Sequence, residues 1–171
     1  QDAVDLLLVG TVTRDLLGRK PEEYRLGGTV SFAAAAAVGL GRRPTVVTRA
    51  ATPDHLSELP PAVTIHLLPS PTTTTFANIY TDEGRIQYCY TPTAPIHARD
   101  IPVKLQTPSA VLLGPLVQDV DPDVAAVFPD ETLVVAAPQG WMRVWDDTGR
   151  VSHERWRNAH KILPYVDVLV L

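Results

Sequence analysis

Six short apolar runs set the limits on what this chain can become. They are Val4–Val9, Pro44–Thr48, Val63–Leu68, Ala110–Leu113, Thr132–Ala136 and Val166–Leu171. Each holds four to six residues, too few for a buried helix. Within most of them the apolar character is continuous rather than alternating, as expected of strands covered on both faces. Helix-forming or chain-breaking segments separate them. Thr29–Leu40 contains five consecutive alanines, Ala33–Ala37, and closes on Gly39 and Gly41. Alanine is the best helix former and allows close approach, so this segment predicts a helix lying flat on a sheet. A short helix is expected from Thr52-Pro53-Asp54 to Pro60-Pro61. Another starts at Asp121-Pro122-Asp123, with Asp as N-cap and Pro at the first position. A third covers Trp156–Leu163 and stops at Pro164. Alternation of this kind predicts an α/β fold with a mostly parallel sheet and helices on both faces.

The remaining segments differ in character. Thr72–Thr81 and Arg85–Tyr90 flank Asp82-Glu83-Gly84, a hairpin signal. On the second arm Ile86, Tyr88 and Tyr90 alternate with Arg85, Gln87 and Cys89, so one face is apolar and the other polar. Thr11–Asp15 reads as a polar turn, Leu16–Leu26 as a short ribbon or loop, and Pro138–Gly149 as a loop. With 171 residues, one domain is expected. The closing run Val166–Leu171 reads as a buried strand with nothing after it, so the stretch is expected to be the front part of a longer protein.

Composition removes several function classes. The net charge is -4, which supplies no basic field for a phosphate backbone, so no nucleic-acid partner is expected. No apolar run approaches the ~18–20 residues of a bilayer span, and no membrane association is expected. The lone Cys89 excludes an internal disulfide and a cysteine zinc cluster, and a free thiol suits the cytoplasm. There is no phosphate-binding Gly-Lys-Ser/Thr loop, no G-x-G-x-x-G after Val9 and no G-x-S-x-G elbow. His55, His66, His97, His153 and His160 are scattered without metal-ligand spacing, so no metal site is expected.

Two features remain as candidates for binding. Asp15 follows the first strand on the carboxyl side, where open α/β sheets place ligand groups. A carboxylate there accepts two hydroxyl hydrogen bonds at once, which suits a polyol. A turn-capping role would explain the same residue. Gly27-Gly28 precedes the alanine-rich helix, where glycine lets backbone approach a ligand and free N–H groups face outward. Asp119, Asp121 and Asp123 alternate like the start of a calcium loop, but Pro122 and Val124 break the pattern, and helix capping explains them better. Arg143 could meet a phosphate or carboxylate. Trp141 and Trp145 could stack a ring, though fastening the loop to the body is the favoured role.

Taken together, Val9-Gly10, Asp15, Gly27-Gly28 and Ala33–Gly41 running into Arg42-Arg43-Pro44-Thr45-Val46-Val47-Thr48 resemble the front half of the ribokinase-like (PfkB) carbohydrate kinases. Thr72–Thr75 with Phe76-Ala77-Asn78-Ile79-Tyr80, Ala110–Pro115 and Val166–Leu169 extend the likeness along the chain. The resemblance implies a ribokinase-like three-layer sandwich with a small β lid near 16–26 and 72–90. It implies transfer of the ATP γ-phosphoryl group, with Mg²⁺, to a hydroxyl of a sugar, nucleoside or cyclitol. Asp15 would grip substrate hydroxyls, and Gly27 and Gly28 would contact the substrate. A homodimer through the lid is an assembly this family allows. Phe32 stands about where sugar-binding members often carry Asn, which turns the expectation toward a flatter acceptor such as a nucleoside or cyclitol. Arg49–Asp54 lacks the glycine usual after that strand. The Asn-x-x-Glu and Gly-Ala-Gly-Asp segments of the nucleotide half do not occur, so no catalytic residue is assigned here and the 171 residues are expected to be inactive alone. The rival reading is a non-catalytic polyol- or nucleoside-binding or assembly domain. A Rossmann-type nucleotide enzyme ranks third.

Overall fold

The computed structural model describes residues 4–171 apart from positions 19 and 21. In chain order the elements are β1 (Leu6–Val9), β2 (Thr13–Leu16), β3 (Tyr24–Gly27), α1 (Thr29–Gly39), β4 (Thr45–Ala50), β5 (Thr64–Pro69), β6 (Thr75–Thr81), β7 (Gly84–Cys89), β8 (Ala110–Leu113), β9 (Leu133–Ala136), β10 (Arg143–Trp145), β11 (Val151–His153), α2 (Ala159–Ile162) and β12 (Val168–Leu169). Short 3₁₀ turns, among them Asp54–Glu58, Pro122–Val127 and Pro138–Met142, fill several connections.

The main sheet has six strands in the order β12-β9-β8-β1-β4-β5, and its pairings are parallel. Alternate residues of each strand enter different cores, because side chains of a strand point to opposite faces. Leu7, Val9, Val47, Val111 and Leu113 pack on one face with Val124, Phe128, Trp141 and Ile162. Leu8 and Val46 pack on the other with Val30 and Ala34 of α1 and with Leu56 and Leu59. Both faces are therefore dry, which is why the runs are continuously apolar. The α/β reading with a mostly parallel sheet is borne out.

Helix α1 ends as the glycines predict. Gly41 has a φ of 76°, and the Arg42 N–H donates to the Ala37 carbonyl at 2.9 Å. At the carboxyl ends of β1 and β8 the backbones come into close contact. A Cβ on Gly10 would run into the Gly114 carbonyl oxygen, so only glycine fits there.

A second sheet, in the order β3-β2-β6-β7, forms the lid. Strands β2 and β3 are antiparallel, β2 and β6 parallel, and β6 and β7 antiparallel, with Phe76 opposite Cys89 and Asn78 opposite Gln87. Several sequence expectations need correction here. Thr11–Asp15 is not simply a turn: Thr13–Leu16 is a lid strand, because its backbone pairs with β3 on one side and β6 on the other. The ribbon expected over 16–26 is β3 with its connection to β2, and positions 19 and 21 lie outside the described residues. Pro138–Gly149 is not all loop. It holds a 3₁₀ turn and the start of the β10–β11 hairpin.

The segments after Asp54 and Asp121 are 3₁₀ turns rather than α-helices, since five and six residues between prolines cannot propagate an α-helix. Asp121 is the cap expected, accepting from the Asp123 N–H at 3.0 Å. The helix expected over Trp156–Leu163 shrinks to α2. The closing run is not a buried strand either. Only Val168 and Leu169 pair, with β9 on one side, and at the sheet edge they remain 43% and 40% exposed. Among the described residues no helix is long and apolar enough to cross a membrane.

Candidate functional site

A buried carboxylate builds the foundation of the site. Asp119 is fully buried. Its Oδ1 accepts from the Leu116 N–H at 2.6 Å and the Val117 N–H at 2.9 Å, and its Oδ2 accepts from the Thr11 N–H at 3.1 Å. One side chain thus joins the loop leaving β1 to the loop leaving β8. Next to it, the Val12 N–H donates to Thr48 Oγ1 at 2.9 Å. These bonds fix the direction in which the chain leaves the main sheet and enters β2.

Asp15 lies on β2, where the Thr13 hydroxyl donates to its Oδ1 at 3.0 Å. Burial raises its pKa above the ordinary carboxylate value. The Thr13 hydrogen bond and the charges of Arg25, Arg85 and Arg143 act in the opposite direction without cancelling that effect. On β3, Gly27 pairs with Thr13, and a Cβ there would overlap the Asp15 carboxylate itself. Gly27 therefore makes room for that carboxylate. Gly28 caps α1 with a φ of 99°, and a Cβ on it would strike the Thr11 carbonyl oxygen. The Ser31 hydroxyl lies 2.7 Å from both the Gly27 and the Gly28 carbonyl oxygens and holds the turn in place.

Between lid and body opens a cleft of about 220 Å³. From the lid, Thr13, Asp15, Arg25, Asn78, Arg85 and Gln87 reach into it. From the body come Gly28, Thr29, Phe32, Leu116, Gln139 and Arg143. Of the residues singled out from sequence, Asp15, Gly28, Phe32 and Arg143 line one cleft, and Gly27 backs the carboxylate. Phe32 projects from α1 and is 64% exposed, so its ring is a wall of the cleft rather than part of the core.

Arg143 is the opposite case, only 7% exposed. Its Nη1 donates to the Leu116 carbonyl at 3.3 Å and its Nη2 to Gln139 Oε1 at 3.0 Å. Gln139 Nε2 donates in turn to Thr29 Oγ1 at 3.0 Å, so the 3₁₀ turn is tied to the start of α1.

Sequence reasoning missed the arginines Arg25 and Arg85 and the amides Asn78, Gln87 and Gln139. The signal for two of them was present. Arg85 and Gln87 form the polar face of the hairpin, and that face turns toward the cleft, leaving Ile79 and Tyr90 exposed on the lid. Trp141 takes the packing role favoured for it. Its Nε1–H donates to the Val120 carbonyl at 2.7 Å and its ring stacks on Trp156 with centroids 5.4 Å apart. Trp145 does not line the cleft.

The fold brings His97 to within 3.5 Å of Asp121 and 3.7 Å of Asp123, a juxtaposition invisible in the sequence. This trio shares no residue with the cleft. Around Asp15 the cleft offers a divalent cation only one carboxylate among the described residues. On that ground it does not fit Mg²⁺ as a resident group.

The fold is that of the ribokinase-like kinases. A pyrophosphate-dependent kinase in the ribokinase family, solved with a pyrophosphate analog and myo-inositol, superimposes with a TM-score of 0.81 at 24% identity, over 96% of this chain and 60% of that one. Fructokinase from Vibrio cholerae superimposes with a TM-score of 0.61 at 16% identity, over 98% of this chain and 63% of that one. Ribokinase from Arabidopsis thaliana, solved with ribose and ATP, gives a TM-score of 0.53 at 15% identity, over 80% and 54%. The chain thus spans about three-fifths of the length of the kinases it matches. No family model and no curated protein matches it.

Proposed function

We propose that this chain is the acceptor-binding part of a kinase that moves the γ-phosphoryl group of ATP to a hydroxyl of a polyol. The observation that carries the reading is the placement of Asp15: a partly buried carboxylate on a lid strand, with the backbone cleared beside it by Gly27, facing a cleft lined by amides. An ionised carboxylate accepts two hydroxyl hydrogen bonds, and neighbouring hydroxyls of a ring present that pair. Asn78, Gln87 and Gln139 supply further donors and acceptors, and the Phe32 ring offers an apolar face to a flat acceptor. Among sugar, nucleoside and cyclitol, the cyclitol is favoured, since the fold superimposes well on a kinase solved with myo-inositol.

A lid that closes over the acceptor would exclude water and so favour transfer over hydrolysis. The donor and its Mg²⁺ would be held by groups outside this cleft. The 171 residues alone are therefore expected to bind the acceptor without transferring phosphate. The exposed apolar outer surface of the lid, with Ile79 and Tyr90, is where a homodimer would form. The lone buried Cys89 suits a cytoplasmic setting.

Calorimetric titration with myo-inositol, ribose, fructose and adenosine tests the reading. Saturable binding of one of them, weakened at least about tenfold in Asp15→Asn, is the expected result, corresponding to loss of one charge-assisted bond. Absence of binding by all four, or binding indifferent to Asp15, would overturn it.

A further inference from the structure

We propose that the acceptor carries an anionic substituent, a phosphate or a carboxylate, seated between Arg143 on the body and Arg85 on the lid. This deepens the polyol-kinase reading above and rests on it.

Charge within the cleft makes the case. Its walls hold three guanidinium groups, Arg25, Arg85 and Arg143, and one carboxylate, Asp15. Arg25 is the cross-strand neighbour of Asp15, so that pair offsets itself. With the buried Asp119 carboxylate acting on Arg143 as well, three guanidinium groups meet two carboxylates, and one positive charge is left over. A neutral polyol would not compensate it.

Arg143 is the stronger anchor. A buried charge is ordinarily paired, because taking it from water is costly. Arg143 is 7% exposed, yet it forms no ion pair with a carboxylate among the described residues. Its Nη atoms reach only neutral oxygens, those of Leu116 and Gln139. Its Nε is buried without a hydrogen-bond partner. Burial first, and then the charge of Arg85, lower its pKa, and the opposing charges of Asp119 and Asp15 do not cancel that effect. Arginine nevertheless stays protonated at neutral pH. An anion between Arg143 and Arg85 would relieve the repulsion and engage unused donors. A planar fork of donors matches phosphate and carboxylate geometry.

The same chemistry has a second source, the phosphate groups of the donor. Position favours the acceptor. Arg85 lies on β7, in the same sheet as Asp15 on β2, so an anion at Arg85 and hydroxyls at Asp15 belong to one molecule lying under the lid.

The test is a set of paired titrations. The neutral ligands are myo-inositol, ribose, fructose and adenosine. Their anionic counterparts are myo-inositol 1-phosphate, ribose 5-phosphate, fructose 1-phosphate and adenosine 5′-monophosphate. Inorganic phosphate and pyrophosphate form the donor arm. The expected result is one anionic ligand that binds roughly tenfold to a hundredfold more tightly than its neutral partner, the range for a hydrogen-bonded charge. In Arg85→Gln, a surface change that should not disturb folding, that ratio should shrink toward one.

If the best neutral ligand binds as well as its anionic partner, the proposal fails and the polyol reading stands. If pyrophosphate or phosphate alone binds as tightly as the best phosphorylated polyol and loses affinity in Arg85→Gln, the arginines serve the donor and the proposal fails. If nothing binds, both readings fall together.

Discussion

Asp119 is a side chain through which loss of one group would loosen both the fold and the site. Three backbone N–H groups, from Thr11, Leu116 and Val117, end on its two oxygens, and the carboxylate is fully buried. In Asp119→Ala all three donors lose their acceptor. Each orphaned buried donor costs about 1–3 kcal/mol, so the total comes to roughly 3–6 kcal/mol after some relaxation. Against a whole-domain stability of about 5–15 kcal/mol this is a large fraction. At about 2–4 °C per kcal/mol for a chain of this size, the melting temperature should fall by roughly 10 °C or more.

Asp119→Asn separates the contributions. The amide oxygen, placed as Oδ1, still serves Leu116 and Val117. The amide nitrogen then confronts the Thr11 N–H, donor against donor. That variant should lose about 1–3 kcal/mol, intermediate between wild type and alanine. Equilibrium urea unfolding, followed by tryptophan fluorescence and far-UV circular dichroism, gives both values. If alanine and asparagine both fall within about 0.5 kcal/mol of wild type, the range of an ordinary surface change, the clamp is not what joins the two loops.

Three further outcomes follow from the cleft and its surroundings. Asp15→Asn should raise the melting temperature at neutral pH while removing polyol binding. Because the folded pKa of Asp15 is raised, its protonated form is favoured in the fold, so its contribution is fully present below the unfolded value of 3.8 and is lost as pH rises through the folded value. The stabilisation by Asn should therefore vanish in melts run below pH 3.8. Gly27→Ala should abolish saturable polyol binding in calorimetry, since the new methyl displaces the Asp15 carboxylate; unaltered affinity would show that the carboxylate is not the grip. Cys89 is buried and its thiol is pushed up to about 12, mainly by burial. It should react with an aromatic disulfide reagent only on unfolding, and fast labelling of the native chain would contradict its burial on the lid against Leu116 and Val117.

Fold class was open to a reading of the residues because it depends on local pattern. Continuous apolar runs such as Leu6–Val9 and Ala110–Leu113 need cover on both faces, and the alanines of α1 need a flat surface to lie on. Both requirements point to the same layered sheet. Asp15, Gly27, Gly28 and Arg143 were readable as candidates for the same reason: each is a residue type unusual for its local context. What local pattern misjudged were segments whose conformation depends on distant partners. Thr13–Leu16 resembles a turn until β3 and β6 provide its hydrogen bonds. Asp119 resembles another helix cap, and becomes a clamp only when Thr11, 108 positions away, comes within 3.1 Å.

The linear order of residues thus determines the layers, the strand positions and the glycines that clear space, since periodicity, propensity and φ requirements act over a few neighbouring residues. The cleft was decided by the tertiary structure. Arg25, Asp15, Arg85 and Arg143 come from four different strands, and their surplus of positive charge exists only because the lid sheet folds its polar face against the body. Coulombic interaction depends on distance through space, and no spacing along the chain reports it.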